Sequence, residues 1–208
     1  MPSLAPHQIM PVGSYCVNCV ALWNDAEQCV LVDPGQDSDT LLSFLDECHL
    51  TLEAVLLTHC HFDHIGALPG ILSRYPTLPV FAHFLDWKMF GHPLNQFPPE
   101  YPSVPRPDNL RDILELPKAC IGFGFTVIET PGHTPGSVCL NCGGLLLSGD
   151  TLFAGSCGRT DFPGGNMAAM RRSLATLAKL PPETVVIPGH GPKTTIADEV
   201  ANNPFMEQ

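Results

Sequence analysis

The chain has 208 residues, with 21 acidic against 10 basic side chains and a formal net charge of −11; 44% of its residues are hydrophobic and 15% charged. These values exclude a disordered chain and fit one sizeable core in a single domain. The basic residues are scattered and form no stripe that could track phosphates, which excludes nucleic acid as an expected partner.

The opening segment Met1-Pro2-Ser3-Leu4-Ala5-Pro6-His7 lacks the basic start and apolar run of a signal peptide, and no later run is as long as a membrane span. A cytoplasmic protein with no membrane partner is expected. The nine cysteines agree with a reducing compartment.

In chain order, strand-like runs fall at about 12–22, 29–33, 54–58, 79–83, 124–130, 137–141, 145–148 and 184–188, each rich in Val, Leu, Ile or Phe. A helix is predicted over 38–48, with Leu41, Leu45 and Cys48 inward and Asp39 near its start. The clearest helix runs from Met167 to Leu180, where Met167, Met170, Leu174 and Leu177 share one face. Asn166 supplies an N-cap there, and Pro181-Pro182 a stop. Strands alternating with helices predict layered α/β packing. Residues 91–109 hold six prolines and read as a long surface loop that offers Phe97 or Tyr101 as a lid over a pocket. Two C-x-x-C spacings, Cys16/Cys19 and Cys139/Cys142, lie in or beside strand-like runs, where residues three apart point to opposite faces. They read as small core residues rather than a second metal site.

The densest chemical signal is Thr58-His59-Cys60-His61-Phe62-Asp63-His64, which follows the apolar run Ala54–Leu57. Three histidines and an aspartate within six positions gain little from one another without a cation, whereas imidazole and carboxylate both suit zinc and related ions. The same arrangement recurs three times. An apolar strand and a glycine-containing turn lead to His133, to Asp150 and to His190. Strands of an α/β layer deliver such groups to one rim of the sheet. His7, His49, His83 and His92 lie outside these motifs and receive no role.

Taken together, H-x-H-x-D-H, the histidine in P-G-H-T-P-G-S, the aspartate in S-G-D and the histidine in P-G-H-G-P resemble the motif series of the metallo-β-lactamase superfamily, from about residue 10 to 205. The resemblance implies an α/β fold, the αβ/βα metallo-β-lactamase four-layer sandwich. It also implies two divalent metal ions, zinc first, with iron or manganese compatible with the same ligands. One ion would be held by His59, His61 and His133, the other by Asp63, His64 and His190, with Asp150 as the bridge. Asp63 and Asp150 are then the candidate catalytic carboxylates. The chemistry implied is hydrolysis by a hydroxide shared between the ions.

Within the superfamily the sequence looks most like glyoxalase II in its short bacterial form. The residues that carry this are Gly149–Gly155, Gly158-Arg159-Thr160-Asp161-Phe162-Pro163-Gly164-Gly165 and the ending Pro188–Pro192 with Asn203-Pro204-Phe205. Such enzymes hydrolyse small-molecule thioesters of glutathione, S-D-lactoylglutathione above all. The long form adds a basic C-terminal extension. Here 18 residues follow His190, and Lys193 is their only basic one. Arg159 is therefore the candidate anchor for a substrate carboxylate, and a salt bridge to Asp161 is its structural alternative. The strongest rival is a persulfide dioxygenase of the same fold, which shares the Gly158–Phe162 loop and would use one iron on His59, His133 and Asp150. A β-lactamase of this fold, a nuclease and a non-enzymatic metal-binding module are weaker fits.

Overall fold

The apolar run near the amino end folds as a hairpin rather than as one strand. In a computed structural model describing residues 5–117, 119–120 and 122–206, β1 (His7–Val12) turns at Gly13–Cys16 and pairs antiparallel with β2 (Val17–Trp23). The first four residues of the opening segment lie outside the described residues. The break comes where Gly13 and Cys16 both take positive φ, a backbone no strand continues through.

The hairpin starts a mixed sheet. β2 pairs antiparallel with β3 (Gln28–Val32). After α1 (Ser38–Glu47), β4 (Thr51–Leu56) adds parallel to β3. Two short helices follow, α2 (Phe62–Ile65) and α3 (Leu68–Arg74), and then β5 (Val80–Ala82) and β6 (Leu110–Asp112) extend the parallel half. Two-residue strands β7 (Ala119–Cys120) and β8 (Phe123–Gly124) form a small hairpin.

The second sheet has the order β15-β14-β11-β10-β9. Its members are β9 (Thr126–Glu129), β10 (Val138–Cys142), β11 (Leu145–Gly149), β14 (Val185–Pro188) and β15 (Thr194–Thr195). A hairpin of β12 (Leu152–Phe153) and β13 (Ser156–Cys157) follows β11, then α4 (Met167–Leu177), and α5 (Ile196–Asn202) ends the series. β10 is antiparallel to both β9 and β11, and β14 is parallel to β11. Hence β9, β11 and β14 all point the same way, and their carboxyl ends share one rim.

Alternation along the strands sorts the apolar side chains into three buried layers. Val30, Val32, Ala54 and Leu56 meet Leu140, Leu145, Leu147 and Ile187 between the sheets. Leu31, Val55 and Leu57 turn the other way, against Leu41 and Leu45 of α1 and Leu68 and Ile71 of α3. Cys139, Leu146 and Val186 likewise face Met170, Leu174 and Leu177 of α4. The result is helix, sheet, sheet, helix: the four-layer αβ/βα sandwich expected from the motif series.

Both predicted helices form, with corrections at their ends. Asn166 caps α4 by accepting from Ala169 N at 2.9 Å, but Met167 in the first turn lies 37% exposed. The helix gives way after Leu177, ahead of the two prolines. Cys48 is exposed because it caps α1 beyond the last full turn, where the side-chain register leaves the buried face. Three of the four paired cysteines are the core residues expected, with Cys139 packed toward α4 and Cys142 between the sheets, and Cys16 is the exception because it falls in the turn. Cys19 is buried in the layer under α1, while Cys16 is exposed in the turn. No helix among the described residues is long and apolar enough to cross a membrane.

Candidate metal centre

Each strand end delivers its group as the shared rim requires. β4 runs out into Thr58 and His59, and one turn of helix, α2, then stacks Asp63 and His64 behind His61. β9 leads through Thr130-Pro131-Gly132 to His133, β11 ends next to Asp150, and β14 ends one residue before Gly189-His190. The two sheets are stitched at this rim, where Val138 N donates to Thr58 O at 2.9 Å and Asn18 N to Gly189 O at 2.8 Å. Gly189 is required by proximity, because a Cβ there would collide with Asp150 Oδ1 and the His64 ring.

The seven side chains expected from the sequence converge into three overlapping groups whose ligand atoms lie within 4.8 Å of one another. They are His59, His61 and His133; His59, His64 and Asp150; and Asp63, His64 and His190. The Asp150 carboxylate stands between the outer two. Its Oδ1 is 3.4 Å from His64 Nε2, while its Oδ2 is 3.5 Å from His133 Nε2 and 3.7 Å from His190 Nε2. Asp63 Oδ2 lies 3.4 Å from His190 Nε2.

A test of fit to metal comes from the groups with no partner. Nε2 of His59, Nε2 of His64 and Oδ1 of Asp150 are buried and make no hydrogen bond among the described residues. Orphaned buried donors and acceptors are rare in folded proteins. A fourth such atom, Tyr101 Oη, lies in the proline-rich loop, but these three are imidazole and carboxylate atoms converging on one space, a donor set a divalent cation satisfies.

Neighbouring groups fix which nitrogen faces inward. Nδ1 of His133 donates to Arg159 O at 2.8 Å, and Nδ1 of His190 to Tyr15 O at 2.9 Å. Nδ1 of His64 donates to Asp33 Oδ2 at 3.0 Å. In each case Nδ1 is the outward donor, which leaves Nε2 as the nitrogen that can face a metal.

Electrostatics follow the same division. Burial, then the charge of neighbouring imidazoles, drives His59 well below its ordinary pKa and His61 down to about 3. Both are therefore neutral, the form that binds metal. Around His64 burial opposes protonation, but the carboxylates of Asp150, Asp33 and Asp63 outweigh it and raise the pKa. Burial likewise opposes the ionisation of Asp150, yet His64, His133 and His190 hold it below the usual carboxylate range. Negative charge concentrated here is what a cation would neutralise.

Several supporting residues escaped the sequence reading. Asp33 accepts from Thr58 N at 2.8 Å, from Thr58 Oγ1 at 2.6 Å and from His64 Nδ1. Asp86, fully buried, accepts from Cys60 N, from Thr134 Oγ1 and from Gly136 N, and so ties the His61 loop to the His133 loop. Asn95 donates to Cys60 O at 2.8 Å and accepts from Phe62 N at 3.0 Å. Each follows a strand end or lies in a loop with no motif around it. The only available signal was a polar residue between apolar or proline-rich neighbours.

The proline-rich loop is tied down. Phe97 and Tyr101 exchange backbone hydrogen bonds of 2.7 and 2.8 Å, and Tyr101 is 1% exposed, packed against Tyr15 and Phe62. Tyr101 is thus a core residue of the loop, while Phe97 stays exposed. Arg159 makes a bidentate salt bridge to Asp161, both contacts at 2.7 Å, and its guanidinium lies 3.8 Å over the Phe162 ring. A cavity of about 350 Å³ opens beside His61, lined by Phe162 and by Lys88, Met89, His92, Leu94 and Asn95.

Residues 15–190 match the family model of the metallo-beta-lactamase superfamily. The hydroxyacylglutathione hydrolase GloC of Haemophilus influenzae is 33% identical over 219 residues, covering 96% of this chain and 97% of that protein. Among solved structures, the BLEG-1 B3 metallo-beta-lactamase superposes with a TM-score of 0.88 at 37% identity, over 98% of this chain and all of that one. TTHA1623 in a di-iron-bound form gives 0.83 at 39% identity, over 95% of this chain and 99% of that one.

Proposed function

The chain belongs to the metallo-β-lactamase superfamily of metallo-hydrolases, and we propose that it hydrolyses a small thioester, in the manner of glyoxalase II, with two divalent ions. The observation that carries this reading is the Asp150 carboxylate, within 3.4–3.7 Å of donors from both the His133 and the His64/His190 sides. A centre built for one ion has no use for the second set.

His59, His61 and His133 would hold one ion and Asp63, His64 and His190 the other, with Asp150 shared. Bound there, divalent ions supply Lewis acidity toward a carbonyl oxygen and acidify water toward neutral pH. The chain's own contribution is to position. Asp33, Arg159 O and Tyr15 O fix the imidazole tautomers, and Asp86 and Asn95 hold the loops that carry them. Asp63 and Asp150 are the carboxylates in reach to orient an attacking water and accept its proton. A thiol leaves as thiolate with little help, its pKa being about 8.5, so no separate general acid is needed.

The thioester preference is supported by the likeness to GloC, which extends over 96% of this chain and 97% of that protein. Zinc is the proposed metal, and the site is proposed to work on a soluble thioester without nucleic acid or membrane. Arg159 already spends Nε and Nη2 on Asp161, so a substrate carboxylate would have to use its remaining N–H groups or displace Asp161. The test is release of thiol from S-D-lactoylglutathione by metal-loaded protein, abolished by chelation and run beside a β-lactam. Hydrolysis of the β-lactam alone would overturn the thioester reading and leave the metallo-hydrolase intact.

A further inference from the structure

The cavity beside His61 has a chemistry of its own. Phe162, Met89 and Leu94 give it an apolar wall, Lys88 and His92 contribute to the lining, and no acidic side chain does. That composition stands out in a chain with a net charge of −11. Lys88 makes no ion pair among the described residues, whereas Arg159 at the rim is already paired with Asp161. His92 Nδ1 accepts from Leu94 N at 3.2 Å, which leaves Nε2 as the proton-bearing nitrogen. The cavity meets the candidate metal centre through His61, which lines it and packs edge-on against Phe162 at 5.8 Å. About 350 Å³ lies in the range of small-ligand pockets.

We infer that this cavity receives the non-reacting arm of the thioester, and that Lys88 is the specificity-determining residue that binds an anionic carboxylate on that arm, with His92 as a second donor. The inference rests on the hydrolase reading for its substrate but not for its geometry. An arm with net negative charge and a terminal carboxylate, such as the peptide arm of a glutathione thioester, gives Lys88 its counter-charge, while its methylene groups face Phe162, Met89 and Leu94. A neutral or cationic arm leaves Lys88 without a counter-charge.

The test reads binding before turnover. S-methylglutathione, a thioether with no thioester bond to hydrolyse, is titrated calorimetrically into metal-loaded wild type, Lys88→Met, Lys88→Arg and Arg159→Met. Loss of a charged hydrogen bond predicts roughly tenfold weaker binding in Lys88→Met, near wild-type binding in Lys88→Arg, and weakening of the wild type by salt. The diester of the same thioether should bind wild type and Lys88→Met alike. Equal affinity of wild type and Lys88→Met for the free acid, or no binding to wild type, overturns the inference. Kinetics then separate the two readings. Lys88-dependent binding with no thiol release from S-D-lactoylglutathione leaves the anion site standing and removes the glyoxalase II-like thioesterase reading. Thiol release with a KM indifferent to Lys88→Met does the reverse.

Discussion

Nδ1 of His64 donates to Oδ2 of Asp33 at 3.0 Å, from a carboxylate that also accepts from Thr58 N and Thr58 Oγ1. Asp33 therefore decides which nitrogen of His64 can face a metal. In Asp33→Asn an amide NH2 can stand where Oδ2 accepts. Nδ1 of His64 must then become the acceptor, and the proton moves to Nε2. Metal affinity of the Asp63/His64/His190 group should fall by about ten- to a hundredfold. Metal counting under competing chelator should show one ion lost per chain with the other retained. Two ions held as tightly as in wild type would refute the orienting role.

Asp150 is the group common to both sides of the centre. Asp150→Ala should lower turnover by at least about a hundredfold and reduce the metal content from near two ions per chain, while the far-ultraviolet circular dichroism stays that of the wild type. Cys48→Ala, at the exposed end of α1, should change neither quantity. A wild type that is fully active with one ion under metal-replete conditions would end the two-metal reading.

Asn95 makes the proline-rich loop a structural part of the metal centre. Its amide satisfies Cys60 O and Phe62 N on the candidate ligand segment, and Met89 O six residues before it in the chain. Asn95→Ala strands buried backbone groups, at a cost of about 2–4 kcal/mol. In a chain of this size that lowers Tm by roughly 4–16 °C. Scanning calorimetry of the metal-free protein reads the effect apart from metal binding. An unchanged Tm would mean that the loop merely rests on the site.

The candidate ligands were legible because each is local. Strand, turn and histidine or aspartate lie within a few residues, and periodicity marks the strand. Their convergence also followed, because β9, β11 and β14 end on one rim. Asp33, Asp86 and Asn95 were not legible, since each acts on residues 25–50 positions away and belongs to no motif. His92 was set aside for the same reason, and only the path of residues 88–95 puts it in the cavity wall. Strand β6 escaped because its three residues follow a proline-rich stretch and carry a charge at the centre.

The remaining question is whether the centre hydrolyses or oxygenates, and His190 decides it. Its Nε2 lies 3.4 Å from Asp63 Oδ2 and 3.7 Å from Asp150 Oδ2, and Tyr15 O fixes its outward nitrogen. A dioxygenase of this fold working through one iron on His59, His133 and Asp150 would need neither His190 nor Asp63. It would need a metal that exchanges electrons with oxygen. Hydrolysis needs no oxidant and runs on a redox-inert ion such as zinc. The expected result is therefore thiol release from S-D-lactoylglutathione under strict anaerobiosis, with His190→Ala losing at least about a hundredfold in kcat/KM. The opposite pattern is equally definite. Oxygen uptake with glutathione persulfide, dependence on iron, tolerance of His190→Ala and no anaerobic thiol release would assign the chain to oxygen chemistry and leave the second ligand set without a catalytic role.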